Sequence, residues 1–445
     1  MKKIMITAMH SGAGKTVVSC GLMAALKHRG LAVQAFKAGP DYIDPMFHTR
    51  VLGVPSRSLD LFLQGEGGVL RSLHGCPCDV AVIEGAMGYY DGLNYTDRAS
   101  AWALGRLTDT PAVLVVRPGG SALSLAAQIR GMLAFRPDSG IAALILSDCR
   151  EGLAQRLAPV LEGETGLPVL GFLPPMPDAR IESRHLGLCT AEEIADLAAR
   201  FDAVARQMEQ SVNLDRLLSL CTEDAAVQEQ NPFPAPRCRI AAAHDAAFCF
   251  TYADTLDALR RQGAEIVPFR PLSDAALPAD IRGLYLPGGY PELYAAALSE
   301  NAALREEIRT AVQAGLPTVA ECGGFLYLLD ELEGADGLSY PMCGALSGRG
   351  YRTDRLQRFG YQTLTAPADS LLFRAGERVN AHEFHYWDAT ETGNGLMSTK
   401  ADGRRWPCAF VTDTLYAGFP HLSFAGETPL AARFVEACIA YGQHI

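Results

Sequence analysis

The sequence predicts an α/β protein, with a P-loop-type doubly wound parallel sheet in its first half and a second α/β domain after it. Three observations carry this reading. The apolar run Ile4-Met5-Ile6-Thr7-Ala8 stops at the turn Ser11-Gly12-Ala13-Gly14, and Lys15-Thr16 opens an amphipathic helix. Short β-branched segments alternate with helical ones as far as Phe172, the pattern of right-handed βαβ units. The alternation restarts at Arg239, after a polar stretch from Thr222 to Arg237 that holds three prolines. The expected organisation is residues 1–222, a linker over 223–237, and residues 238–445.

Bulk properties agree with two domains. A chain of 445 residues exceeds one typical core, and 49% hydrophobic with 20% charged residues is an ordinary globular balance. No apolar run is long enough to cross a bilayer and no signal-peptide pattern is present, so a cytoplasmic protein is expected. The net charge of -11 opposes general nucleic-acid or membrane binding, while leaving room for a local anion pocket. Of the twelve cysteines, eleven read as packing residues and one is reserved for chemistry. Cys76-Pro77-Cys78 has poor zinc spacing and no second pair nearby.

The first turn suits phosphate. Backbone N–H groups of Ser11, Gly12, Ala13 and Gly14 and the positive end of the following helix converge on one spot, where Lys15 adds a charge and Thr16 a hydroxyl for Mg²⁺. The strict phosphate-loop patterns would have glycine at Met9 or Ala8. A helix over Val17 to Arg29 and a strand over Ala32 to Phe36 follow. Asp41-Tyr42-Ile43-Asp44-Pro45 then falls at the carboxyl end of a strand, where open α/β sheets place ligands. These acids either hold Mg²⁺ or orient a substrate, or they form an Asp-rich turn; residue types do not decide. Val80 to Ile83 reads as a central strand whose closing Glu84 can reach a metal at Thr16, before the glycine-rich loop Ala86 to Gly92. Ala112–Val116, Ala142–Leu146 and Val169–Phe172 are further strands, with helices near 124–133 and 152–161. Arg184-His185, taken alone, is a surface pair, and 192–220 is helical.

In the second half, Arg239–Ala243, Glu265–Phe269, Leu284–Leu286 and Thr318–Ala320 read as strands, with helices over Tyr252–Gln262 and Asn301–Ala314. The turn Pro287-Gly288-Gly289 exposes N–H groups that could receive an anion. The reserved cysteine is Cys322. Strand, Glu321-Cys322-Gly323-Gly324 and helix make a nucleophile elbow, where a helix N-terminus is expected to lower the thiol pKa and Gly323 N–H to face an oxyanion. A base is required, and His382, His385 and His421 are the candidates. His382-Glu383-Phe384-His385 lacks the i, i+4 spacing of a zinc protease helix and reads as a strand.

Five segments in order, Phe36 to Pro45, Glu84 to Gly92, Arg184 to Leu188, Ala320 to Gly324 and His382 to Tyr386, resemble the cobyrinic acid a,c-diamide synthase family, glutamine-dependent amidotransferases of cobalamin biosynthesis. The resemblance spans essentially the whole chain. It implies an ATP-dependent amidoligase domain similar to dethiobiotin synthetase over 1–222 and a class I glutaminase domain over 238–445, with ATP and Mg²⁺ as cofactors. It implies Cys322 and His421 as the catalytic pair, Gly289 and Gly323 as oxyanion donors, and Thr16, Asp41 and Glu84 as Mg²⁺ ligands. Asp41, Tyr42, Asp44, Asp91, Arg184 and His185 would line the synthetase site. Glutamine, ATP and a tetrapyrrole polycarboxylate would be the small-molecule partners, ammonia would pass from one domain to the other, and a homodimer stays open. Departures from the family are Ala8 in the phosphate loop, Pro287 in the oxyanion turn, Ser423 two residues after His421, and Ser147 and Arg117 near the expected nucleotide base. Competing readings are the same reaction on hydrogenobyrinic acid or nickel-sirohydrochlorin, cobyric acid synthase, and a partitioning-type nucleotide-switch ATPase, which has no use for Cys322.

Overall fold

The computed structural model describes residues 1–179, 183–184, 187–188, 194, 196–224 and 232–443. The chain forms two compact units, Met1–Gln230 and Asn231–Ile445.

In the first unit the elements run β1 (Lys2–Ala8), α1 (Lys15–His28), β2 (Val33–Ala38), α2 (Ile43–Leu52), β3 (Arg57–Leu59), α3 (Leu61–His74), β4 (Val80–Glu84), α4 (Ala101–Leu107), β5 (Ala112–Val116), α5 (Leu123–Phe135), β6 (Ile141–Leu146), α6 (Glu151–Thr165) and β7 (Val169–Phe172), followed by α7 (Leu197–Ser211) and α8 (Leu214–Leu220). The sheet order is β3-β2-β4-β1-β5-β6-β7, all parallel. Side chains alternate along each strand, so both faces need cover. Ile4, Ile6, Val82, Val113 and Val115 pack with Phe47 and Phe201 from α2 and α7, whereas Met5, Ile83, Leu114 and Leu144 pack with Val69, Leu104, Ile129 and Leu157 from α3 to α6. Helices thus lie on both faces of a doubly wound sheet.

Thr222 and Glu223 pair antiparallel with β1, and the Asp224 carboxylate accepts from Lys3 at 2.6 Å. The first residues of the expected linker are therefore tied to this sheet: the edge of β1 at Lys2 and Lys3 still had backbone groups to satisfy, and the chain supplies them.

In the second unit the strands Ala264–Phe269, Cys238–Ala243, Gly283–Leu286, Thr318–Glu321 and Leu415–Gly418 lie parallel in that order, with Phe410–Val411 antiparallel at the edge. Arg349–Thr365 and Arg378–Ala389 pair antiparallel in a further sheet, and His421–Leu422 adds to Arg378–Ala389 with His421 opposite His382. No described helix is long and apolar enough to cross a membrane.

Candidate active sites

The first candidate site stands at the carboxyl ends of β1, β2 and β4. Gly12 and Gly14 take left-handed φ values of 80° and 95°, which turn the loop's N–H groups around the start of α1. Ala8 stays inside β1, paired with Val115, so the position that departs from the glycine pattern needs only extended backbone. Ser147 donates to Ala13 O at 2.6 Å and so buttresses the loop, while Arg117 pairs with Asp148. Lys15 Nζ donates to Met87 O at 2.6 Å, and burial lowers its pKa to about 8, with Lys37 pushing the same way.

Thr16 Oγ1 donates to Glu84 Oε1 at 2.8 Å and stands 3.4 Å from Asp44 Oδ1. Glu84 is wholly buried, yet its carboxylate is held well below the usual range: burial opposes the charge, and Lys37, His48 and Thr16 outweigh it. Lys37 Nζ lies 2.6 Å from Asp44, 3.1 Å from Glu84 and 3.9 Å from Asp41, and those acids keep it charged despite burial. His48 Nε2 meets Glu84 Oε2 at 2.7 Å and its Nδ1 lies 3.2 Å from Ser56. The sequence reading did not assign Lys37 or His48 a role. The signal for Lys37 was register, because it pairs with Glu84 across β2 and β4 at the ligand edge of the sheet.

The oxygen donors Thr16, Glu84 and Asp44 fit a hard divalent cation, and the Lys37 ammonium shows that positive charge belongs among them. Among the described residues no group of three His, Cys, Asp or Glu side chains is disposed to hold a metal unaided. Asp41 is partly committed elsewhere: its Oδ1 accepts from Ile43 N at 2.8 Å and Asp44 N at 3.1 Å, capping α2. Of the two acids in this segment, Asp44 rather than Asp41 stands at hydrogen-bonding range of Thr16. Tyr42 stands at the start of α2, and Asp91 accepts from Gly88 N at 3.0 Å, fastening the loop that meets Lys15. The Arg184 side chain and His185 lie outside the described residues.

The second candidate site is the elbow at Cys322, which links Thr318–Glu321 to the helix Gly323–Leu328. Cys322 takes φ 49°, ψ -102°, a sparsely populated conformation for a residue with a side chain. It persists because Cys322 N donates to Gly418 O at 2.7 Å and because Gly324 passes where any Cβ would come 2.1 Å from Leu286 O. A Cβ on Gly323 would stand 3.0 Å from Gly289 N, so the two expected oxyanion donors are neighbours. A Cβ on Gly288 would come 2.6 Å from His421 Cε1 and 3.5 Å from Cys322 Cβ, so both side chains face this glycine. His382 stacks on His421 with centroids 5.0 Å apart. His385 instead stacks on Phe419 and bonds Glu383 at 2.9 Å.

One expectation fails here. Burial pushes the Cys322 thiol well above its ordinary pKa, and Glu292 and Glu383 add to the rise. The following helix has six residues, too short to offset the loss of water. His421 is likewise driven well below its ordinary value by burial, with His382 and His385 reinforcing the shift, so both groups rest uncharged.

Comparison with known proteins gives the family. A CobQ/CobB/MinD/ParA nucleotide binding domain matches residues 4–188, and a CobB/CobQ-like glutamine amidotransferase domain matches residues 239–428. The chain is similar to the cobyrinate a,c-diamide synthases of Caldanaerobacter subterraneus subsp. tengcongensis, at 35% identity over 99% of both chains, and of Listeria innocua, at 39% over 95% of this chain and 96% of that one. It is also similar to the hydrogenobyrinate a,c-diamide synthase of Thermobifida fusca, at 40% over 98% of this chain and 97% of that one. With relatives at this identity along nearly the whole length, the chain belongs to the cobyrinate a,c-diamide synthase family.

Proposed function

We propose that this protein is a carbon-nitrogen ligase that amidates the a and c carboxylates of cobyrinic acid with ATP and with ammonia drawn from glutamine. The observation that carries the reading is the presence in one chain of both the phosphate loop, with Lys15 and the Thr16–Glu84 pair, and the elbow at which Cys322 and His421 face Gly288. A nucleotide switch would need only the first.

In the second unit Cys322 Sγ attacks the glutamine side-chain amide while its proton passes to His421, which returns it to the departing ammonia; water then frees glutamate from the thioester. Gly289 and Gly323 N–H groups face the developing oxyanion. In the first unit the loop amides and Lys15 hold the ATP phosphates as a substrate carboxylate takes the γ-phosphoryl group, releasing ADP, and ammonia then displaces phosphate from the acyl phosphate. Thr16, Glu84 and Asp44 would hold Mg²⁺, which supplies charge neutralisation at the phosphates. Asp41, Tyr42, Asp91, Arg184 and His185 belong to the tetrapyrrole side of this site in the same reading. Lys37 and His48 keep Glu84 ionised and oriented.

The T. fusca relative, named for the cobalt-free substrate, motivates one further arm in the test. Cobyrinic and hydrogenobyrinic acids are each incubated with ATP, Mg²⁺ and glutamine, and products are followed by mass spectrometry. Two successive carboxylate-to-amide shifts on cobyrinic acid are expected. Turnover of hydrogenobyrinic acid alone would reassign the substrate, and turnover of neither would remove the proposal.

A further inference from the structure

We propose that Glu321 is the third member of the Cys322–His421 site, a positioning residue that orients His421 and balances its charge when it takes the thiol proton. The proposal rests on the glutaminase reading of those two residues.

Glu321 closes the strand Thr318–Glu321, one residue before the nucleophile, and is almost wholly buried. Its Oε2 lies 3.9 Å from His421 Nδ1. The ring's Cε1 and Nε2 face Gly288, which also meets Cys322. The order nucleophile, imidazole, carboxylate is therefore present, with the acid drawn from beside the nucleophile. Ser423, two residues beyond His421, carries no charge.

The carboxylate is itself fixed. Oε1 accepts from Leu422 N–H at 2.8 Å, gripping the backbone next to His421, and Oε2 accepts from the Tyr285 hydroxyl at 3.0 Å. At 3.9 Å the contact with Nδ1 is not a hydrogen bond, but a unit charge at that range is strongly felt where water is excluded.

His382 stacks on His421 from the neighbouring strand, and both His382 and His385 oppose a positive charge on it. Glu383 is engaged by His385 at 2.9 Å and Gln362 at 2.6 Å. Cys322 and His421 both rest neutral, so transferring the proton from Sγ to Nε2 creates an ion pair in a dry site. An anion beside Nδ1 lowers the cost of that step, as the acid of a catalytic triad does. Burial raises the Glu321 pKa to about 7, which leaves the anion accessible near neutrality.

The test compares wild type, Glu321→Gln and Glu321→Asp in glutamine hydrolysis and in the pH dependence of Cys322 alkylation by iodoacetamide. Gln keeps one oxygen to accept from Leu422 N–H and presents its amide NH₂ to the Tyr285 hydroxyl oxygen, while removing the charge. In Glu321→Gln, kcat is expected to fall about 10²-fold with little change in KM for glutamine, and the pH profile of alkylation to be displaced from that of the wild type. Glu321→Asp, which keeps the charge, is expected to keep the wild-type alkylation profile even with a lower kcat. Unchanged kcat in Glu321→Gln would overturn the proposal, and so would a kcat loss with an unmoved alkylation profile, since that is what a purely structural residue would give. Should Glu321→Gln not fold, a Glu321→Asp profile displaced from wild type would overturn it as well. A wild-type protein that hydrolyses no glutamine would remove the glutaminase reading and this proposal together.

Discussion

Gly288→Ala isolates the geometry of the glutaminase elbow in one methyl group. Gly288 does not occupy the left-handed region, so alanine fits its backbone and the effect is steric. The new Cβ would meet His421 Cε1 at 2.6 Å, and restoring an ordinary 3.4 Å contact requires the ring to retreat by roughly 0.8 Å. Retreat is opposed by His382 stacked on the ring and by Leu422 N–H bound to Glu321. A displacement of that order in a catalytic base costs about 10²-fold in rate. The assay is glutamine hydrolysis with purified protein, set beside amidation driven by ammonium salts, which does not use the elbow. A loss confined to the glutamine-dependent reaction is expected. Wild-type kcat on glutamine would refute the argument, because it would mean that His421 does not act from the position it holds.

Cys322→Ser is expected to abolish glutamine-dependent amidation while amidation with free ammonium persists; product mass spectrometry reads both, and loss of the second would refute the division of labour between the units. Lys15→Ala is expected to stop synthesis with either nitrogen source, so full activity in that variant would refute a catalytic phosphate loop. Burial raises the Glu292 pKa from 4.5 to about 8, so the native state retains a proton that the unfolded chain releases once pH exceeds 4.5. The wild-type protein therefore loses stability as pH climbs from 4.5 to 8, and Glu292→Gln, which cannot ionise, escapes that loss. Its advantage should grow by about 4 kcal/mol between pH 4.5 and pH 8, read from urea unfolding midpoints. An advantage independent of pH would contradict the assignment.

Legibility followed burial. The strands Val80–Glu84 and Ala112–Val116 are buried along their whole length in a sheet covered on both faces, so they read as apolar runs, the first closed by its acid, and their limits are visible in the sequence. Helix Ile43–Leu52 escaped notice because it begins inside the Asp-Tyr-Ile-Asp-Pro segment, where Pro45 falls in the first turn and costs no hydrogen bond. The Arg349–Thr365 strand escaped for the opposite reason: charged and polar residues crowd it, and register shifts between Arg352 and Gly360 break the alternation that marks a half-buried strand.

The sequence by itself determined the glycine-bearing loop with its lysine and threonine, the acids at strand ends, and the Cys322 elbow, because each depends on residues adjacent in the chain. Only the tertiary structure decided that Lys37 and His48 converge on Glu84, that Asp44 approaches Thr16 while Asp41 caps a helix, and that His421 rather than His385 faces the glycine beside Cys322. It also reversed the expected pKa of Cys322, since desolvation is a property of everything packed around a group and no local motif encodes it.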